Sequence, residues 1–161
     1  MNSHLSSDKL LRLKQIMRLR VTRAHRAYSD KLIEWKKLKQ EFDDIQSQVD
    51  ELQAELEKVN EYQRQNKNHR DTVVRRDASD RRHWVIYDQD LAVYNLDIAR
   101  GDLNEATTEL NACKADWMRA QHREKKIGEQ GEQALLQEGL IREELQESEI
   151  EDLRMVGVSI A

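Results

Sequence analysis

No proline occurs anywhere in the 161 residues, and there are only five glycines. Without proline nothing removes a backbone donor or forces a kink, so helices can run long. With so little glycine there is also little to build tight turns from. Cysteine is nearly absent. The single Cys113 excludes a disulfide framework, and its place in an apolar row makes it a small hydrophobic side chain. Aromatic residues make up 5% and hydrophobic residues 38% of the chain, which covers one face of each helix but not the two-sided core of a compact domain. No apolar run approaches the roughly 20 residues needed to cross a bilayer, and the N-terminus lacks the apolar segment of a signal peptide. The expectation is a soluble intracellular chain.

What is abundant is charge, at 36% of residues, threaded by two apolar rows. Trp35, Leu38, Phe42, Ile45, Val49, Leu52, Leu56 and Val59 are spaced alternately three and four apart. An average spacing near 3.5 residues keeps one stripe against a partner helix, which defines a coiled-coil seam. The row continues back through Lys31, Tyr28, Ala24, Val21, Met17 and Lys14 to Leu10, interrupted by the two lysines. The second row is Val85, Gln89, Ala92, Leu96, Ala99, Leu103, Ala106, Leu110, Cys113, Trp117 and Ala120. Two seams in one chain predict an all-α fold, a long antiparallel two-helix coiled-coil hairpin. With about 1.5 Å of rise per residue, helices of about 65 residues would extend roughly 100 Å.

Partners across an antiparallel seam have residue numbers with a constant total, and a total of 155 matches polar with polar. It sets Lys31 against Glu124 and Asn66 against Gln89, sparing unpaired polar groups that would cost about 1–3 kcal/mol each. It also sets large against small: Trp35 with Ala120, Phe42 with Cys113, Val49 with Ala106, Leu56 with Ala99. The predicted organisation over residues 1–161 is then helix 1 at about 8–74, a turn at about 75–81 and helix 2 at about 82–152. Ser79 or Asp80 is expected to cap the second helix. In this register the basic segment 1–39, with eleven Lys or Arg and three acids, lies beside the acidic segment 129–154, with nine acids against Arg142 and Arg154. Gly128, Gly131 and Gly139 weaken the final helix by about 0.5–1 kcal/mol each relative to alanine.

Function is expected off the seam. Trp84, Tyr87, Leu91, Tyr94 and Ile98 follow helical spacing on the outer face of helix 2, where no core awaits them, and suit docking of a partner protein. At the terminal end Ile16, Leu19, Leu136 and Leu140 also fall at outer positions, with Arg18, Arg20, Arg23 and Arg26 nearby. The segment Arg64 to His83 carries seven basic residues and three acids, the pattern of a solvated turn. His69-Arg70-Asp71 spells a fragment of the kinase catalytic loop without its companion motifs. The five histidines lack metal spacing and no phosphate-binding loop is present, so neither catalysis nor a metal or cofactor is expected.

The segment Leu19-Arg20-Val21-Thr22-Arg23-Ala24-His25-Arg26-Ala27 resembles the L-R-V-x-R-A-x-K/R-A stretch of the central stalk proteins of type III secretion, the YscO/FliJ-like family. The length and the acidic C-terminal helix, with Glu143, Glu144, Glu147, Glu149 and Glu151, are also similar. The resemblance implies a hairpin whose terminal end enters a hexameric secretion ATPase and whose other end reaches the cytoplasmic part of the export gate membrane protein, some members also handling secretion chaperones. It implies a place in the bacterial cytoplasm, peripheral to the inner membrane at the secretion apparatus, and a role in virulence-type protein transport. On this reading Trp84, Tyr87, Leu91, Tyr94 and Ile98 are candidates for binding the gate, and Ile16, Leu19, Arg20, Arg23, Leu136 and Leu140 for binding the ATPase. Tyr94 and Ile98 depart from the alanine and histidine of the flagellar pattern. Two other readings are a basic helical arm that binds nucleic acid and a purely structural coiled-coil dimer.

Overall fold

Leucine, alanine, glutamate, glutamine, lysine and arginine fill both halves of the chain, all with small helix-forming cost, and nothing breaks the pattern until the centre. The computed structural model describes residues 7–158, and there the chain forms two helices, α1 (Ser7–Asn66) and α2 (Thr72–Val158), which pack against each other as an antiparallel hairpin. No strand is present among the described residues. The described chain divides into two compact units, one holding residues up to Ala27 together with those from Cys113 onward, the other holding Tyr28–Ala112.

The turn falls at residues 67–71, not at 75–81, and its chemistry is local. Asn66 Nδ2 donates to the Tyr62 carbonyl at 2.8 Å, and the His69 amide donates to the Asn66 carbonyl at 3.0 Å, which uses up acceptors that the end of α1 leaves free. Asp71 caps α2: its carboxylate accepts the Val73 amide at 2.8 Å, as an N-cap side chain does two residues ahead. The Asp71 amide in turn donates to His69 Nδ1 at 3.1 Å. The His69-Arg70-Asp71 triplet is thus turn and cap. Ser79 and Asp80, expected to cap, lie inside α2.

The register follows the turn. In the unit Tyr28–Ala112, Asn60 accepts from Arg82 at 2.8 Å, Gln89 donates to Gln53, Trp35 donates to Thr107 at 2.8 Å and Lys31 reaches Glu109 at 2.7 Å. These partners total 140 to 142, two heptads below 155. The pairings Lys31 with Glu124 and Asn66 with Gln89 do not form. Lys31 instead bridges Glu109 and, at 2.8 Å, Glu34, while Asn66 closes its own helix. Trp35 lies opposite Ala106 and Thr107 rather than Ala120, Phe42 opposite Ala99 rather than Cys113, Val49 opposite Ala92 rather than Ala106, and Leu56 opposite Val85 rather than Ala99. Large still meets small, because the small residues recur every seven positions and a two-heptad slip maps them onto one another. Val85, Ala92 and Leu96 of the second row form the buried part of this unit's core together with Ala78, one heptad earlier and expected in the turn.

The other unit keeps the same register. Arg18 Nε donates to Glu124 Oε1 at 3.3 Å, and the His25 and Trp117 rings stack with centroids 4.8 Å apart and planes tilted by 59°. Leu10 is buried, its Cβ 3.8 Å from where a side chain on Gly131 would begin, and Lys14 lies 3.4 Å from the equivalent point on Gly128. The two glycines therefore give the start of α1 a flat surface to pack on, and α2 continues through them and through Gly139.

One consequence of the shifted register is charge segregation within this unit. Residues 9–27 hold seven Lys or Arg and no acid, and they lie opposite α2 residues 114–132, which hold five Lys or Arg and four acids. The basic segment thus faces mixed charge, where an acidic segment was expected. Most of the acidic segment lies further on: from Leu135 onward every described side chain is exposed, and no described residue of α1 lies opposite. This free portion, 136–158, extends roughly 35 Å at helical rise.

Candidate protein-interaction surfaces

The seam residues of both rows are buried or half-buried, so the surfaces left for recognition are those off the seam. All five residues of the outer stripe on α2 are exposed, from 47% for Ile98 to 69% for Trp84. They are spaced three, four, three and four apart, and Val85, Ala92 and Leu96 on the opposite side of the helix are buried. Trp84 and Tyr87 meet edge to face, centroids 6.5 Å apart and planes at 86°, a geometry that favours aromatic pairs and holds both rings at the surface. Asp88 and Asp90 flank the stripe, as does Asp97, which is paired with Arg100 at 3.2 Å. An apolar stripe two heptads long with acidic borders can take a helix or a flat apolar surface with basic borders.

The terminal candidates divide into two surfaces. Ile16 and Leu19 are exposed on α1 with Arg20 and Arg23 beside them. Leu136 and Leu140 are exposed too, but the shifted register puts them about 15–25 Å further along than Ile16 and Leu19, so the single patch expected at one height does not form. Their neighbours are Ile141, Leu145 and Ile150, each more than half exposed, which continue the apolar content of the free portion of α2. These three are not among the sequence candidates, because a total of 155 keeps α1 alongside most of this stretch. Ile33, 68% exposed, is likewise unassigned.

Within the unit that holds the two ends, a groove of about 240 Å³ is lined by Met17, Arg20, Asp116, Arg119, Ala120 and Arg123, and Arg119 is paired with Asp116. Near the turn three of the seven basic residues are engaged: Arg64 with Glu61 at 2.7 Å, Arg81 with Asp77 at 3.1 Å and over the Tyr62 ring, Arg82 with Asn60. Among the described residues no three of His, Cys, Asp and Glu gather as a metal site requires, and no helix is long and apolar enough to cross a membrane. Cys113 is a free, half-buried thiol on the seam. Comparison with protein-family models, with curated proteins and with solved structures returns no match.

Proposed function

We propose that the chain is a stalk component of type III secretion, binding the hexameric secretion ATPase through its terminal end and the cytoplasmic part of the export gate through the stripe from Trp84 to Ile98. The observation that carries this reading is the stripe: five large apolar side chains stand exposed on a hairpin whose seam is already satisfied. Their exposure costs solubility and has no role in holding α1 to α2, so a protein partner is the economical reason for it. The Leu19 to Ala27 segment, similar to that family's N-terminal stretch, supports the other half of the reading. It lies on the basic, acid-free part of α1. Secretion chaperones are further candidates for the same stripe, and the complex would work at the cytoplasmic face of the inner membrane.

Mixing the chain with the hexameric ATPase tests the proposal. Hydrolysis rises or ring assembly is promoted if the reading is right; unchanged hydrolysis together with an empty pull-down overturns it. For the gate, replacing Tyr87 and Leu91 with alanine weakens capture by the gate's cytoplasmic domain.

A further inference from the structure

The free portion of α2 presents a stripe of its own. Leu136, Leu140, Glu143, Glu147 and Ile150 follow one another at four, three, four and three residues, so they share one face, and all are exposed. The outer face of α1 carries a stripe of matching chemistry: Ile16, Leu19, Arg23 and Arg26, at three, four and three, again all exposed. Each is an apolar pair followed by a charged pair, and the charges are opposite. None of Arg23, Arg26, Glu143 and Glu147 has an ion-pair partner among the described residues.

The two stripes cannot meet within one hairpin without bending α2, because Leu136 already lies beyond Ile16 and α2 runs on away from it. They can meet between two hairpins. A two-fold axis across overlapping terminal ends brings the free portion of one α2 alongside the other copy's α1, running in the same direction. An offset of 120 to 121 residues then sets Leu136 by Ile16, Leu140 by Leu19, Glu143 by Arg23 and Glu147 by Arg26. Symmetry repeats the arrangement, each copy giving one acidic arm and one basic face, so the contact closes at two copies.

We propose that the occupant of the free acidic end of α2 is a second copy of this chain, docked on the basic outer face of α1 at Ile16, Leu19, Arg23 and Arg26. Charge complementarity supports it over the alternatives. Residues 136–154 hold seven acids against Arg142 and Arg154, whereas residues 16–34, which this offset sets beside them, hold five Lys or Arg against Asp30 and Glu34. The stripe from Trp84 to Ile98 offers no such match to itself, since its borders are mainly aspartate and two copies would set like charges together. The surface overlaps the terminal candidates for the ATPase, so a second copy and the ATPase exclude one another there, and the mass of the isolated chain tests the pairing apart from the secretion reading.

Sedimentation equilibrium of the full chain tests it, with wild type, Glu143→Arg/Glu147→Arg, Arg23→Glu/Arg26→Glu, and an equimolar mixture of the two variants. The wild type reaches twice the 19.1 kDa chain mass, and the excess is lost on dilution and in high salt. Each variant alone stays at the single-chain mass, and the mixture returns to the doubled mass, because the reversed arm of one then meets the reversed face of the other. Rescue on mixing also excludes misfolding as the cause of the loss, and circular dichroism of each variant reads helicity separately. A wild type that stays at the single-chain mass at every concentration, including one whose α2 folds back on its own α1 or whose basic face is reserved for a polyanion, overturns the proposal. So does a doubled mass that survives either reversal, or a mixture that remains at the single-chain mass.

Discussion

The indole N–H of Trp35 donates to Thr107 Oγ1 at 2.8 Å, and the Thr107 hydroxyl donates in turn to the Leu103 carbonyl at 2.7 Å. A tryptophan on a seam needs a partner for its one polar atom, and a β-branched hydroxyl already tied to its own helix provides it without freeing another group. Thr107→Val keeps the shape and removes the acceptor, leaving a part-buried N–H unmet. We expect a loss of about 1–3 kcal/mol in urea unfolding. A double-mutant cycle with Trp35→Phe should return a coupling of about 1 kcal/mol. No coupling would mean that Trp35 lies elsewhere.

Asp71 is the residue that starts α2. Asp71→Ala removes the acceptor of the Val73 amide and should cost about 1 kcal/mol, whereas Asp71→Asn should cost much less. Ser79→Ala and Asp80→Ala, inside α2, should stay within about 0.5 kcal/mol. Thermal unfolding followed by circular dichroism separates the three cases.

Lys31 sits on the seam between two carboxylates. Hydrogen bonds that it donates to Glu109 and then to Glu34 hold its ammonium above the ordinary lysine range. Because the folded value is raised, its contribution is complete below the unfolded lysine value of about 10.4 and is lost as pH climbs through the folded value. The stability difference between the wild type and Lys31→Met should therefore be flat from about pH 6 to 10 and shift against the wild type above that. A difference that changes between about pH 6 and 9 would show that another group governs it.

The outer stripe and the seam should respond in opposite ways. Tyr87→Ala with Leu91→Ala removes exposed side chains and should leave helicity unchanged and stability within about 0.5 kcal/mol per site. Ala92→Leu crowds a position that is 3% exposed and should cost about 1–3 kcal/mol. A large loss of helicity in the first variant would place the stripe in a core.

Both seams were legible in the sequence because heptad spacing reports directly on which side of a helix is covered. The rows that run through Trp35 and through Leu96 are the residues found buried or half-buried. The exposed stripe followed by the same logic. The register was not legible, and the reason is the regularity that revealed the seams: Ala92, Ala99, Ala106, Cys113 and Ala120 repeat at seven, so registers two heptads apart offer large residues similar small partners. Polar matching breaks the tie only if Lys31 needs a partner directly across. Its long stem lets the ammonium reach sideways to Glu109 and along its own helix to Glu34. The usable signal was the turn itself. Asn66, Asn68 and Asp71, followed by Thr72 and two valines, form a cap sequence, and no glycine or proline drew attention to it. The terminal surfaces inherited the same error, since Leu136 and Leu140 share a height with Ile16 and Leu19 only if the turn is late.

The central claim is that the hairpin closes at residues 67–71 and so leaves the acidic end of α2 uncovered. Disulfide trapping in a Cys113→Ser background tests it most directly, comparing Val49→Cys/Ala92→Cys with Val49→Cys/Ala106→Cys. A disulfide needs Cα atoms within roughly 7 Å, and a two-heptad slip moves them about 21 Å. Rapid oxidation of the first pair with none of the second is the predicted result; cross-linking of the second pair with none of the first would contradict it.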